Sequence, residues 1–229
     1  MTGVSEHARN STGLVTVQAP RSAAAEAYRT LSTNIQFSSL DRDVRSLLVT
    51  SVGPDEGKSI VLANLAIVMA EGGRRVVMVD CDLRHPSLHQ IFGLADQPGL
   101  TTMMLNESLA PARQGTSVSG VDLVAAGPLP PNPAELIASE RFSRVLASIV
   151  EDADVVLVDA PPVSAVSDAA ILATKVDGVL LVVDSGRTRR ENARRASEQL
   201  TRVGARLLGA VLTNVKAEKT QAEYLGKST

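Results

Sequence analysis

The stretch Ser51–Ser59, SVGPDEGKS, decides how the chain is read. It lies between a short apolar run, SLLVTS (Ser46–Ser51), and a long one, IVLANLAIVMA (Ile60–Ala70). The first has the length of a buried strand and the second that of a helix. A glycine-rich turn between strand and helix directs its backbone N–H groups inward, and the helix N-terminus adds positive potential; together they hold phosphate groups. Here Gly57 lets the backbone approach the phosphates, Lys58 reaches the β- and γ-phosphates of a nucleoside triphosphate, and Ser59 offers its hydroxyl to Mg²⁺. Gly53, Asp55, Glu56 and Ile60 complete the expected nucleotide contacts. The usual spacing of this loop has a glycine where Val52 stands, and Gly53 comes one residue later. By itself the loop implies only ATP or GTP.

Outward from the loop, strand and helix signals alternate. A Gly-Gly turn at Gly72 and Gly73 ends the helix. RVVMVD (Arg75–Asp80), VDLVAAG (Val121–Gly127), VVLVDAPP (Val155–Pro162), VLLVVD (Val179–Asp184) and LLGAVLTN (Leu207–Asn214) read as further strands. Ala23–Phe37 has apolar residues at helical spacing, and a second amphipathic helix is expected near Glu140–Glu151. The Pro-rich segment GPLPPNPAEL, Gly127–Leu136, reads as an irregular, ordered loop or lid. Alternation of this kind predicts an α/β fold, a mostly parallel sheet flanked by helices on both faces, because parallel crossovers run through helices. One domain is expected over residues 21–215, with a flexible polar segment before it (1–20) and a tail after it (216–229).

Composition narrows the function classes. Hydrophobic residues make up 44% and aromatics only 2%, so the core must be built from Val, Leu, Ala and Ile. A net charge of −2 argues against a nucleic-acid partner held by bulk electrostatics. The single cysteine, Cys81, excludes an internal disulfide framework and fits a reducing compartment. No apolar run approaches the roughly 20 residues that span a bilayer, and the N-terminus lacks the apolar segment of a secretory signal. A soluble, cytoplasmic chain is expected, one that can serve a membrane partner.

In parallel sheets ligands sit beyond the carboxyl ends of the strands, and Asp80, Asp82, Asp159 and Asp184 all fall at such ends. Asp80 and Asp82 are two apart, a spacing that puts both on one face of an extended strand and suits a divalent cation and a proton acceptor. Asp159 emerges after four apolar residues, where it can hold a water on Mg²⁺. Arg84 is a partner for a phosphate or for one of these acids. Cys81, between two acids, reads as a buried inert thiol, and His85 and His89 as surface residues without a third metal ligand. RTRRENARR, Arg187–Arg195, reads as the solvated face of a helix.

The three motifs, Ser51–Ser59, VVMVDCDLR (Val76–Arg84) and VVLVDAPP, in that order, resemble the bacterial tyrosine kinases of capsular and exopolysaccharide assembly. EAYRTLSTNIQF and GPLPPNPAELIAS are similar to that family as well, and the likeness runs from about Val15 to Val215. The resemblance implies a P-loop sheet related to the partition and division-site ATPases. Those ATPases carry a second lysine near the start of the loop, where this chain has Gly53. It further implies ATP and Mg²⁺ as cofactors, with Lys58 on the β- and γ-phosphates and Ser59, Asp82 and Asp159 around the metal. Asp80 would take the proton of an incoming tyrosine hydroxyl, and Asn214 would contact adenine. The implied partners are a membrane polysaccharide co-polymerase that activates the kinase, protein tyrosine substrates, and further copies of the chain in a homo-oligomer.

Two departures from the family stand out. Its E-x-x-R-x-x-R helix motif, which docks on the neighbouring subunit, reads Glu26, Arg29 and Ser32 here. Its C-terminal tyrosine cluster, phosphorylated in trans, is reduced to Tyr224; the chain's other tyrosine, Tyr28, lies on an amphipathic helix and reads as packing. The alternative reading is a non-kinase ATPase switch of the partition or division-site class.

Overall fold

Five of the seven strands in the computed structural model are apolar runs that end, or nearly end, on a polar residue at the same edge of one sheet. The structure describes residues 13–38, 43–105 and 112–215. Its strands are β1 (Ser46–Ser51), β2 (Val76–Asp80), β3 (Arg113–Gly115), β4 (Val121–Val124), β5 (Val155–Asp159), β6 (Gly178–Asp184) and β7 (Leu207–Thr213), in the spatial order β3-β4-β2-β5-β1-β6-β7. All neighbours pair in parallel except β3, which runs antiparallel to β4. β1, β2, β5 and β6 are buried along their whole length, which is why they read as continuous apolar runs. β7, at the sheet edge, is only half buried.

Each face of the sheet carries its own core. On one, helix Lys58–Glu71 lies over the sheet and is itself covered by helix Ala23–Ser38; Leu47, Val49, Leu62, Leu65, Met78 and Leu157 belong to this cluster. On the other, helix Glu140–Glu151 buries Phe142, Val145, Leu146 and Ile149, a stripe at i, i+3, i+4 and i+7. Its start is fixed by Ser139, whose hydroxyl accepts the Phe142 N–H at 3.2 Å. Helices Asp168–Ala173 and Arg190–Arg202 complete that face.

Two expectations are corrected. Residues 13–20 are not a flexible lead-in: Leu14 is fully buried, Val15–Gln18 make a helical turn, and Asn64 of the central helix binds it. Asn64 Oδ1 accepts the Thr16 N–H (3.0 Å) and Oγ1–H (2.9 Å), and its Nδ2 donates to Gly13 O (2.9 Å). The Pro-rich segment is only partly irregular, since Pro133–Ala138 is a helix with proline at its start, where the missing N–H costs nothing. Strand β4 also stops at Val124, and Ala125 and Ala126 instead accept bonds from Leu100 (2.7 Å) and Thr101 (3.0 Å). Gly99 allows that approach, because a Cβ there would fall 2.5 Å from Ala125 O.

Candidate active site

The loop after β1 folds as its residues dictate. Gly57 takes φ +83°, a left-handed conformation open to glycine, and thereby starts helix Lys58–Glu71 with its N–H groups facing the loop. Asp55 is also left-handed, at φ 59°. Glu56 is buried; its carboxylate accepts the Val52 N–H at 3.0 Å and the Thr188 hydroxyl proton, while its backbone carbonyl accepts from Thr213 Oγ1 at 3.0 Å. Its side chain is therefore committed to the shape of the loop, and it has its backbone N–H to offer an anion. Gly53 O accepts from Ser51 Oγ at 2.7 Å, and Ile60 lies in the helix's first turn.

Opposite the loop, Asp80 and Asp159 are register partners at the ends of adjacent strands β2 and β5. The Lys58 ammonium joins them to the loop: Nζ lies 2.9 Å from Asp82 Oδ2, 3.3 Å from both Asp159 oxygens and 3.2 Å from Ser59 Oγ. Ser59 Oγ donates to Asp159 Oδ2 at 2.5 Å. Asp80 is wholly buried, with Oδ2 accepting the Ser87 and Leu88 N–H groups at 3.0 Å each and Oδ1 that of Asp82 at 3.2 Å. Asp82 Oδ1 accepts the His85 N–H at 3.0 Å. Among the described residues no three acidic, His or Cys side chains form a ready metal cage; the cation that gathers these carboxylates is Lys58.

Electrostatics follow from that count. Burial works against the Lys58 charge, but Asp159, Asp82 and Asp80 outweigh it and hold the ammonium above its usual pKa. Burial, then the neighbouring Asp159, pushes Asp80 up to about 7 against the backbone bonds from Leu88 and Ser87. Burial also raises Asp159, opposed by Lys58 and the Ser59 hydroxyl. Lysine and aspartate of one ion pair both move up for different reasons: burial lifts the Asp159 carboxyl, and three acids around one ammonium lift Lys58.

Other expected residues fall elsewhere. Arg84 binds neither a loop acid nor an open anion site: its Nε and Nη2 donate to the buried carboxylate of Asp168 at 2.9 and 3.2 Å. The only sequence signal for Asp168 is its place before AAILA, an acid at an ordinary helix start. Asp184 stands apart from the Lys58 group and pairs with Asn214 at 2.7 Å. Cys81 is buried, and His89 lies 3.5 Å from Asp96. Tyr28 packs against the core on the face covered by helix Lys58–Glu71. Glu26 and Arg29 pair with each other at 3.2 Å, and Arg29 also approaches Glu71 at 3.8 Å. The basic stretch runs from residues 187–189 into helix Arg190–Arg202, whose arginines make exposed pairs with Glu191 and Glu198. A cleft of about 770 Å³ between this helix and Val52–Glu56 is lined by Arg187, Arg195 and Arg202. Tyr224 lies outside the described residues.

Known proteins resemble this chain in sequence and in fold. A family model described as "NUBPL iron-transfer P-loop NTPase", of the ParA type, matches residues 44–224. The chain is 40% identical to the tyrosine-protein kinase YwqD of Bacillus subtilis, over 94% of this chain and 91% of that one. It is 32% identical to the tyrosine-protein kinase wzc of Salmonella typhimurium over 93% of this chain but 30% of that longer protein. The chimerical protein CapA2B2 superposes with a TM-score of 0.86 at 34% identity, covering 90% of this chain and 91% of that one. The kinase domain of the Escherichia coli tyrosine kinase ETK gives 0.83 at 30% identity, covering 90% and 82%. The septum site-determining protein MinD of Pyrococcus horikoshii, at 21% identity and a TM-score of 0.63 over 79% and 76%, shares the fold. No helix among the described residues is long and apolar enough to cross a membrane. With the loop, the paired strand-end carboxylates and these relatives together, the chain belongs to the bacterial tyrosine kinase family, on a P-loop NTPase domain of the ParA type.

Proposed function

We propose that the chain is an ATP-dependent protein tyrosine kinase that phosphorylates Tyr224 of another copy and acts in capsular or exopolysaccharide synthesis and export. The observation that carries this reading is the gathering of Asp80, Asp82, Asp159 and Ser59 around the one ammonium of Lys58 at the mouth of a phosphate loop. The donor set is all hard oxygen, which suits Mg²⁺. Ser59, Asp82 and Asp159 would hold the ion, and when bound it supplies neutralising charge for the triphosphate. Lys58 must then leave the carboxylates and turn to the phosphates, a move its flexible stem permits.

In the transfer step the tyrosine hydroxyl oxygen forms a bond to the γ-phosphorus and the bond to the bridging oxygen of ADP breaks. The hydroxyl proton passes to Asp80. A carboxylate with a pKa near 7 is a better base for a phenol of pKa about 10 than an ordinary one. Asp80 lies beneath residues 81–88, so tyrosine entry requires that segment to move. The activator would be a membrane protein of the co-polymerase kind, and the chain would gather at the inner membrane face through it. The iron chemistry in the family description does not carry over, because the single cysteine is buried and offers no set of thiolates.

The test is mass spectrometry of the whole chain after incubation with ATP and Mg²⁺, comparing wild type, Lys58→Met and Tyr224→Phe. Phosphate on Tyr224 of the wild type, absent from both variants, is expected. ATP hydrolysis without phosphotyrosine, even on an added tyrosine-rich peptide with an activator segment, would overturn the reading.

A further inference from the structure

A second polar group lies on the other side of the loop, where β6 and β7 end side by side. Asp184, the last residue of β6, is buried. Its Oδ1 accepts the Gly186 N–H at 2.8 Å and its Oδ2 accepts from Asn214 Nδ2 at 2.7 Å. The Gly186 bond, then that of Asn214, holds Asp184 below the usual carboxylate range, against burial. The group is therefore ionised and can only accept. That fixes the Asn214 amide, whose two ends are otherwise interchangeable: the amino group faces Asp184 and Oδ1 faces away.

Asn214 is itself held in place. It takes φ 55°, and its carbonyl accepts from Ser185 Oγ at 3.2 Å. The preceding residue, Thr213, bonds Glu56 O of the phosphate loop at 3.0 Å, and a Cβ at Gly57 would lie 4.0 Å from its methyl group. Asn214 is exposed, and among the described residues nothing donates to its Oδ1. The Thr213 bond ties the strand end that carries Asn214 to the phosphate loop, on the opposite side of β1 from the carboxylates.

We propose that Asp184 is a positioning residue for base selection: by holding the Asn214 amino group, it presents the Asn214 carbonyl oxygen to position 6 of a purine. There it accepts from the 6-amino group of adenine and repels the 6-oxo group of guanine, so the site takes ATP and rejects GTP. The inference rests on the reading of the chain as an ATP user with Asn214 as its adenine contact, and what it adds is a task for Asp184 outside the chemistry of transfer.

The test is equilibrium binding to the full chain, with Mg²⁺, of ATP, GTP and purine riboside triphosphate, which has hydrogen at position 6. Inorganic tripolyphosphate serves as a probe of the phosphate loop alone. In the wild type, ATP is expected to bind about tenfold more tightly than purine riboside triphosphate, the worth of one hydrogen bond, with GTP weaker still. Asp184→Ala should bring the three nucleotides to within about threefold of each other and leave tripolyphosphate binding unchanged. Asn214→Gly tolerates the left-handed backbone while deleting the amide, and should do the same. A wild-type preference for ATP that persists in Asp184→Ala overturns the proposal, as does equal binding of ATP and purine riboside triphosphate by the wild type. If Asp184→Ala does not fold, the analogue series and Asn214→Gly decide. Selective ATP binding without phosphotyrosine would uphold this assignment and sink the kinase reading; phosphotyrosine made equally from ATP and GTP would do the reverse.

Discussion

Burial, and after it the neighbouring Asp159, push Asp80 up to about 7, and the Lys58 ammonium, which three carboxylates surround, only partly offsets this. The unfolded chain releases that proton near pH 4, so between about pH 4 and 7 the folded chain holds a proton the unfolded one lacks. Stability then falls as pH rises through that window, the reverse of a salt-bridged aspartate. Asp159, raised in the same direction, adds to the slope. Chemical denaturation in EDTA at pH 5 to 8 should show the wild type losing on the order of 2 kcal/mol more than Asp80→Asn across the range. Parallel curves for the two would rule the assignment out. The Arg84–Asp168 pair behaves differently, because Asp168 is buried while Arg84 is partly exposed. Asp168→Ala frees an arginine that water can solvate, and thermal unfolding should report a loss of about 1–3 kcal/mol. The same change should slow phosphotransfer, since Arg84 anchors the segment that covers Asp80.

At the scale of elements, the central helix is held at its N-terminal half by an unexpected neighbour. Asn64 is wholly buried and engages Thr16, Gly13 and its own helix at Ile60 O. Asn64→Ala leaves those partners without a replacement and should cost about 2–4 kcal/mol. Hydrogen exchange should show the Thr16 amide losing protection while β5 keeps its own; unchanged protection at Thr16 would count against the tether. No pattern in GLVTVQ announces this turn, because four residues are too few to show a period. The buried strands were legible for the opposite reason: VVMVD, VVLVD and VLLVVD are covered on both faces and admit only apolar residues until the strand emerges. The antiparallel edge strand RQG is short and half exposed, so no selection for apolar residues marks it. The site divides the same way. The phosphate loop and the strand-end acids could be read because spacing and position define them. The Lys58 bridge, the Glu56–Thr188 bond and the Arg84–Asp168 pair join residues up to 132 positions apart, and only the folded sheet brings them together.

The whole molecule places its two polar groups on opposite sides of one loop: carboxylates over β2 and β5, Asn214 and Asp184 over β7 and β6, and the loop itself over β1. The chain runs on from Val215 at the β7 end, and Tyr224 comes nine residues later, enough to extend about 30 Å. From β7 to β2, which carries Asp80, is four strand spacings, about 19 Å, so length alone permits a chain to reach its own site. Geometry opposes it. The phosphate loop over β1 lies between the end of β7 and the carboxylates over β5 and β2, so a segment of the same chain has to cross it and a segment of another copy does not. Transfer between copies is therefore expected. The decisive mixture is Lys58→Met, which keeps Tyr224 but lacks the phosphate-binding ammonium, with Tyr224→Phe, which keeps the site but lacks the acceptor. Neither alone should form phosphotyrosine at position 224. Together, with ATP and Mg²⁺, they should phosphorylate the Lys58→Met partner, identified by its altered mass. The rate should rise with total concentration, as a second-order encounter requires. Wild-type phosphorylation at a rate independent of dilution, together with a silent mixture, would mean instead that each chain serves its own Tyr224 and that the crossing over the loop is open.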